Sequence, residues 1–141
     1  MKGLDDIAGL GNWRAGGHGG RLGIAFARRG EDWAELVLPY AADLAGDGAG
    51  GGIASGPIIA LMDMATSIAV WIKRGRFVPH ATLDLRMDYL RPPVPGQAVI
   101  GRGECYRLTP FISFVRGEAH HGDPDDPIAH VVGTYMNLGA S

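Results

Sequence analysis

The sequence predicts an α+β fold in which one long apolar helix packs against an antiparallel sheet. Between Pro57 and Ile72 the only polar side chains are Asp63, Thr66 and Ser67, and a helix that is apolar nearly all round is normally buried. Two strand-like segments precede this helix and four follow it. Their short connections favour antiparallel pairing, so a single helix on one face of the sheet is the simplest arrangement.

The 141 residues fit a single domain over 1–141, with 1–20 as an N-terminal extension. A hydrophobic content of 46% and a charged content of 20% are typical of globular proteins. The net charge of −2 gives no electrostatic drive toward nucleic acid or an anionic membrane, so we expect neither as a partner. Cys105 is the only cysteine, which favours a reducing compartment. The first residues carry no apolar signal segment, and we therefore expect a cytoplasmic protein.

The segments before the helix predict a β-hairpin. Apolar runs over Leu22–Arg28 and Trp33–Leu38 flank the turn-forming residues 29–32. Residues 4–10 suit a short helix, and the glycine-rich residues 14–20 are expected to form a loop. A long connection over 39–52 then leads to the central helix, with a short turn expected around residues 41–45.

Clear start and stop signals bound the central helix. Ser55 is a favourable N-cap, and Pro57 fits the first turn, where its missing N–H costs nothing. Lys73 and Arg74 followed by Gly75 are typical of a helix C-terminus.

Four strands are predicted after the helix, in a meander. In the first, Leu83, Leu85, Met87 and Tyr89 alternate with polar residues. This alternation puts Thr82 on the same strand face as Asp84 and Arg86, with a solvent-facing position as the alternative to a functional one. Turn residues separate the other three strands, which are predicted at Gln97–Arg107, Phe111–His120 and Ile128–Leu138.

Asp63 is the strongest candidate for a functional residue. An ionised carboxylate inside a buried helix is costly unless it is paired, hydrogen-bonded or hydrated, and such groups are enriched at catalytic sites. The alternative, a surface acid on an amphipathic helix, conflicts with its apolar neighbours. The helix start offers unpaired N–H groups near Ser55 and Gly56, and these suit an oxygen that gains negative charge. Ser67 lies four residues beyond Asp63 on the same helix face, within reach of the acid or of a bound water.

Two motifs in this order resemble those of the hotdog-fold acyl-CoA thioesterases of the phenylacetate-pathway and 4-hydroxybenzoyl-CoA type. The first is the helix entry Ala54-Ser55-Gly56 followed by Leu61-Met62-Asp63, where the family has His-Gly-Gly and Leu-x-Asp or Leu-x-Glu. The second is the strand and turn from Thr82 through Arg91-Pro92 to Gly96. The resemblance extends from about Leu22 to Leu138.

This resemblance implies a hotdog fold, an antiparallel sheet of about five to six strands wrapped around the central helix. It also implies dimers or tetramers with active sites at the subunit interface. The reaction would be hydrolysis of an acyl-CoA thioester to free acid and CoA, with no metal or other cofactor. Asp63 would be general base or nucleophile, and backbone N–H groups of Ser55 and Gly56 would hold the thioester oxygen. Thr82 from the opposite subunit and Ser67 match positions where the family often has hydroxyl groups.

Three departures from the family pattern bear on the positioning of water. Ala54 replaces the histidine of the helix entry, Ser55 replaces its first glycine, and Gly48 stands where some relatives have Asn or Gln. A non-catalytic acyl-CoA binding module is therefore a second hypothesis. A hotdog enoyl-CoA hydratase is a third, although those enzymes have a histidine five residues after the acid, where this chain has Ile68.

The remaining candidates have simpler explanations. Four basic side chains suit the phosphates of coenzyme A: Lys73, Arg74, Arg86 and Arg91. For each of them, a solvated surface charge is the alternative. His18-Gly19-Gly20 copies the family's tripeptide, but it precedes a strand, so we assign it to a loop. His120 and His121 with the acids of 123–126 fit an exposed turn better than a metal site. Cys105 is expected to be a packed thiol.

Overall fold

A computed structural model describes residues 17–46 and 51–139 of the chain. Six antiparallel strands form one sheet around a 20-residue helix, which confirms the predicted hotdog architecture. The elements are α1 (Gly17–Leu22), β1 (Ala25–Arg29), β2 (Trp33–Leu38), a short 3₁₀ turn (Ala42–Leu44), α2 (Ser55–Arg74), β3 (His80–Tyr89), β4 (Val99–Leu108), β5 (Ile112–His120) and β6 (Ala129–Asn137). The expected helix at residues 4–10 lies outside the described residues.

The strand order across the sheet is β1-β2-β4-β5-β6-β3. The hairpin and the β4–β5–β6 meander are as predicted, but the expectation that β3 belongs to the meander is wrong. β3 pairs with β6, at the opposite edge from β1. The proline-rich connection after Arg91 carries the chain from this edge back to β4 in the middle of the sheet.

The start of β1 also differs from the prediction. Residues 17–22, which include His18, form α1 and not a loop, and the strand begins at Ala25 instead of Leu22. The helix ends because Gly23 adopts a positive φ of 78°, a left-handed conformation that commonly terminates helices. Its N–H bonds back to the carbonyl of Gly20.

The C-terminus of α2 is as predicted, but its N-terminus is not. Gly75 has a φ of 76° and its N–H bonds to the carbonyls of Trp71 and Ile72, as the stop signal predicts. At the other end the N-cap is Ala54, and it makes no side-chain capping bond. The prediction that Ser55 is the N-cap is therefore wrong by one residue, because Ser55 already belongs to the first turn.

Glycines in the central strands bring α2 very close to the sheet. A Cβ atom at Gly103 would lie 2.5 Å from the backbone of Ala65 and Thr66, and one at Gly101 would lie 2.7 Å from Leu61. Real side chains do not tolerate such distances, so the helix backbone packs where the sheet has no side chain. By length and composition α2 also resembles a membrane span, but half of its most apolar window is buried inside this fold.

A β-bulge in β3 changes which side chains face the helix. Thr82 pairs with Tyr135 and Asp84 pairs with Thr134, so Leu83 is an extra residue between two consecutive pairs. The inserted residue reverses the alternation before it. Thr82 consequently faces α2, and the prediction that it shares a face with Asp84 and Arg86 is wrong, while Leu83 is 54% exposed.

Replacing Gly103 by valine should lower the free energy of unfolding by about 1–3 kcal/mol, because the new side chain meets helix backbone that cannot move aside. Urea unfolding followed by circular dichroism measures the loss. Gly56→Ala is a matched control at a helical position, since a Cβ there meets no other described part of the chain within 4 Å, and the stability of this variant should not fall. A Gly103→Val protein as stable as the wild type would contradict the close helix–sheet contact.

Candidate active site

The Asp63 carboxylate is half-buried and is held by two hydroxyl groups. Thr82 Oγ1 donates to Asp63 Oδ1 at 2.8 Å, and the Tyr135 hydroxyl donates to the same oxygen at 3.0 Å. These donors come from β3 and β6, the two paired strands at one edge of the sheet. The acid therefore has polar partners inside an apolar helix, as the cost of burying an ionised carboxylate requires.

Tyr135 is a site residue that the sequence analysis missed. It is 1% exposed, and its hydroxyl lies 2.7 Å from the Asp63 carbonyl oxygen and 2.8 Å from Thr66 Oγ1. Burial raises the pKa of the phenol, so the hydroxyl keeps its proton and remains a donor. Its inward direction follows from the alternation of β6, but its contact with the helix depends on the packing of distant segments.

Thr82 lies beside the acid within one chain, whereas the resemblance assigned the hydroxyl to the opposite subunit. The bulge at Leu83 turns Thr82 toward the helix of its own chain. The role of Thr82 across a subunit interface stays a prediction.

The Ser67 hydroxyl is not hydrogen-bonded to the Asp63 carboxylate, which was one of its two expected partners. Its hydroxyl is hydrogen-bonded to Nε2 of His80 at 2.5 Å. His80 stacks on Trp71 at a centroid distance of 4.9 Å and packs against the Tyr135 ring at 4.8 Å. Burial, reinforced by the charge of Arg74 and partly opposed by the charge of Asp63, lowers the pKa of His80 to about 4. His80 is therefore a neutral neighbour of the site at neutral pH.

The first turn of α2 is open. Ser55 and Gly56 are exposed, and the first N–H groups of any helix lack partners within it. Beyond the helix's own first turn, no atom of residues 17–46 and 51–139 lies within 4 Å of a Cβ built on Gly56, so a ligand has room to approach this backbone. The Tyr89 hydroxyl donates to the Ser55 carbonyl oxygen at 3.1 Å and ties β3 to the helix start.

The predicted phosphate-binding residues do not converge. Lys73 lies 3.7 Å from Asp32, Arg86 pairs with Asp88 at 3.2 Å, and Arg91 lies 3.2 Å from Asp126. Arg74 donates from the last turn of α2 to Thr109 and Ser113. Each of these cations already has a partner in the fold.

The turn after β5 is built by hydrogen bonds. His121 accepts from the Val94 N–H at 2.9 Å, and Nδ1 of buried His120 accepts from the Gly122 N–H at 2.9 Å. In the described parts of the chain no three His, Cys, Asp or Glu residues are close enough together to hold a metal ion.

Cys105 is fully buried, as expected, and burial raises the pKa of its thiol. Gly48 lies outside the described residues.

Glu35 is more buried than Asp63, but its partners are arginine side chains that give it a structural role. Its carboxylate accepts a hydrogen bond from Arg28 at 2.6 Å and from Arg102 at 3.2 Å. Burial works to raise its pKa, and the two guanidinium groups overcome that effect and lower it. It alternates with Ala34 and Leu36 of the core, so it lies on the sheet face that points away from α2.

The titration of His80 should make stability depend on pH. The unfolded chain binds a proton at this residue below its ordinary pKa of 6.5, whereas the folded chain binds it only near pH 4. The contribution is complete above pH 6.5 and is lost as the pH falls toward 4. The melting temperature of His80→Gln should therefore fall less steeply over this window than that of the wild type. His130→Gln, at an exposed histidine, should keep the wild-type slope, and parallel curves for His80→Gln would contradict the assignment.

Several solved structures are similar to this chain. A protein of Pseudomonas aeruginosa is 39% identical, with a TM-score of 0.78, and the match covers 86% of this chain and 90% of that one. A thioesterase of Haemophilus influenzae has a TM-score of 0.81 at 19% identity, covering 99% and 92%. The PaaI protein from the phenylacetic acid degradation operon of Escherichia coli has a TM-score of 0.80 at 15% identity, covering 98% and 94%. The last two show the fold alone.

No curated protein matches the chain. The family model described as the thioesterase superfamily matches residues 51–128, which is more than half of the chain and includes Ser55, Asp63 and Thr82. The protein therefore belongs to the thioesterase superfamily and, at the level of that family, is a hydrolase of acyl thioesters.

Proposed function

We propose that this protein hydrolyses an acyl-CoA thioester to the free acid and CoA, with Asp63 as its catalytic carboxylate. The observation that carries the proposal is the environment of this acid. It is half-buried on an apolar helix and accepts hydrogen bonds from Thr82 and Tyr135. Buried acids with this kind of polar support are enriched at catalytic sites.

The chemistry requires an activated oxygen nucleophile and a place for the developing negative charge. As a general base, Asp63 takes a proton from water while the water oxygen bonds to the thioester carbon. As a nucleophile, its own oxygen forms that bond and water later releases the acid. In both cases the C–S bond breaks and the sulfur leaves as CoA, taking up a proton. Backbone N–H groups at Ser55 and Gly56 stabilise the carbonyl oxygen, and such donors contribute about 3 kcal/mol each.

The distance along α2 supports an active site shared between two chains. Asp63 lies seven residues beyond Gly56, which corresponds to about 10 Å at the standard helical rise. A carbonyl carbon and its oxygen are only about 1.2 Å apart. If the acid attacks the carbonyl carbon directly, it therefore cannot belong to the same helix as the amides that hold the oxygen, and as a base it would need the intervening water to span nearly the whole distance. The proposal pairs Asp63 of one chain with the helix start of another, in a homodimer or a tetramer built from such dimers.

Among the four predicted phosphate ligands, Arg91 is the best placed for coenzyme A. It follows Tyr89, whose hydroxyl reaches the Ser55 carbonyl at the start of α2. Its acidic partner, Asp126, is an exposed side chain that a phosphate can replace. Lys73 lies near the opposite end of the helix and pairs with Asp32 in the turn before β2.

The two other hypotheses make different demands on the site. The hydratase needs a histidine on the helix five residues after the acid, but this chain has Ile68, which is 3% exposed and packs in the core. That side chain can neither bind nor transfer a proton. The acyl-CoA binding module remains the second candidate because Ala54 replaces the family histidine, and it predicts binding without turnover.

Asp63→Asn should lower turnover of acyl-CoA substrates at least about a hundredfold while the protein stays folded, because the amide cannot accept a proton as a carboxylate does. The measurement is thiol release over acyl-CoAs that differ in chain length and aromaticity. Asp84→Asn is the matched control, since Asp84 is exposed on the same strand as Thr82 and should retain wild-type turnover. Equal turnover in Asp63→Asn and the wild type would remove Asp63 from the mechanism, and binding without turnover in the wild type would favour the binding module.

Mixing two inactive variants tests the shared site. Asp63→Asn lacks the acid, and Gly56→Val places a branched side chain in the space before the helix amides. A hybrid dimer has one site with both lesions and one with neither, so a 1:1 mixture should recover about a quarter of wild-type activity after subunit exchange. A site contained in one chain would give no recovery, and full activity of Gly56→Val alone would exclude the helix start from the reaction.

A further inference from the structure

We propose that Tyr135 is a positioning residue that fixes the direction of the Asp63 carboxylate, with Oδ1 held by hydrogen bonds and Oδ2 left for the reaction. The inference rests on the proposed hydrolysis and assigns a role to a residue outside the family motifs. Its basis is a chain of hydrogen bonds from the core of α2 to the acid.

The Tyr135 hydroxyl meets the acid at two points. It lies 3.0 Å from Oδ1 of Asp63 and 2.7 Å from the backbone oxygen of the same residue. A phenol that lies close to both acceptors restrains the Asp63 side chain relative to its own backbone. This restraint limits rotation about the Cα–Cβ bond, which sets the direction of the carboxylate.

A second hydroxyl group, that of Thr66, fixes the position of the Tyr135 hydroxyl. Thr66 is fully buried, and its Oγ1 lies 2.8 Å from the Tyr135 hydroxyl and 2.8 Å from the Met62 carbonyl oxygen. Thr66 can donate to the phenol oxygen while the phenol proton points toward Asp63. Because both side chains are buried, water does not compete for these bonds.

The two oxygens of Asp63 consequently differ. Oδ1 accepts hydrogen bonds from both Thr82 and Tyr135, which uses its two lone pairs. Within residues 17–46 and 51–139, no donor is hydrogen-bonded to Oδ2. The engaged oxygen is both a poor base and a poor nucleophile. The reaction therefore falls to Oδ2, whose direction Tyr135 fixes.

The hydroxyl and the ring of Tyr135 have separable roles. The ring packs with Ala69, Val70, Cys105 and Val115 in a buried cluster, which phenylalanine preserves. Other titratable groups near the acid are His80 on β3, against the Tyr135 ring, and the cationic Arg74 on α2, which acts on His80. Both remain in the variant, so a change in pH dependence reports the lost hydroxyl.

Tyr135→Phe should lower kcat about tenfold or more and leave KM within about twofold, because a hydrogen bond to a charged group is lost and substrate contacts are retained. The acidic limb of the pH–rate profile should move to higher pH, since the ionised carboxylate loses a donor. Tyr106→Phe, at a tyrosine that is 43% exposed on β4, is the matched control and should leave kcat, KM and the profile unchanged.

A lower melting temperature with unchanged kcat and pH profile would overturn the proposal and leave Tyr135 a packing role only. A second readout does not depend on activity. The ¹³C carboxyl resonance of Asp63 should shift in Tyr135→Phe at pH 7 and stay unchanged in Tyr106→Phe. An unshifted resonance would overturn the positioning role even in an active enzyme. If the wild type hydrolyses no acyl-CoA but the resonance shifts, the proposed reaction fails and the hydrogen bond stands.

Discussion

The close packing of α2 on the sheet is the constraint on which the site depends. Gly101 and Gly103 leave the middle of β4 without side chains, and the helix backbone occupies that space. The helix height above the sheet is therefore set by backbone contact, which is stiffer than contact between long side chains. At this height the Tyr135 hydroxyl reaches both the backbone and the carboxylate of Asp63. A helix lifted by even one methyl group would lose these distances.

The β-bulge in β3 supplies the second hydroxyl partner of Asp63. Without the extra residue in β3, Thr82 would point away from the helix, and Asp63 would have one hydroxyl partner instead of two. Bulges are over-represented beside active sites because they redirect one side chain without disturbing the rest of the sheet. The inserted Leu83 is exposed, so redirecting Thr82 leaves a large apolar side chain facing out from the edge strand.

The site combines a rigid acid with an open helix end. The acid is fixed by hydroxyl groups on β6 and β3, whereas Ser55 and Gly56 present free space near the start of the helix. Under the proposed chemistry the length of helix between them favours a site shared by two chains, because one carbonyl group cannot directly contact both parts. Exposed Leu83 and Tyr89 on the edge strand β3 are consistent with a surface that a second copy covers.

The sequence alone determined the elements with strong local signals. Nearly continuous apolarity and a terminal glycine define α2, two-residue alternation defines most strands, and the isolated acid marks Asp63 as the candidate site. These features depend on neighbours within a few residues, so they can be read along the chain.

Only the tertiary structure decided which distant segments meet. It placed β3 beside β6, turned Thr82 inward through a bulge, directed Ser67 to His80, and brought Tyr135 to an acid 72 residues away. The alternation of β6 gives the face of Tyr135 but not its partner, because register across the sheet and the height of the helix arise from the packing of the whole core.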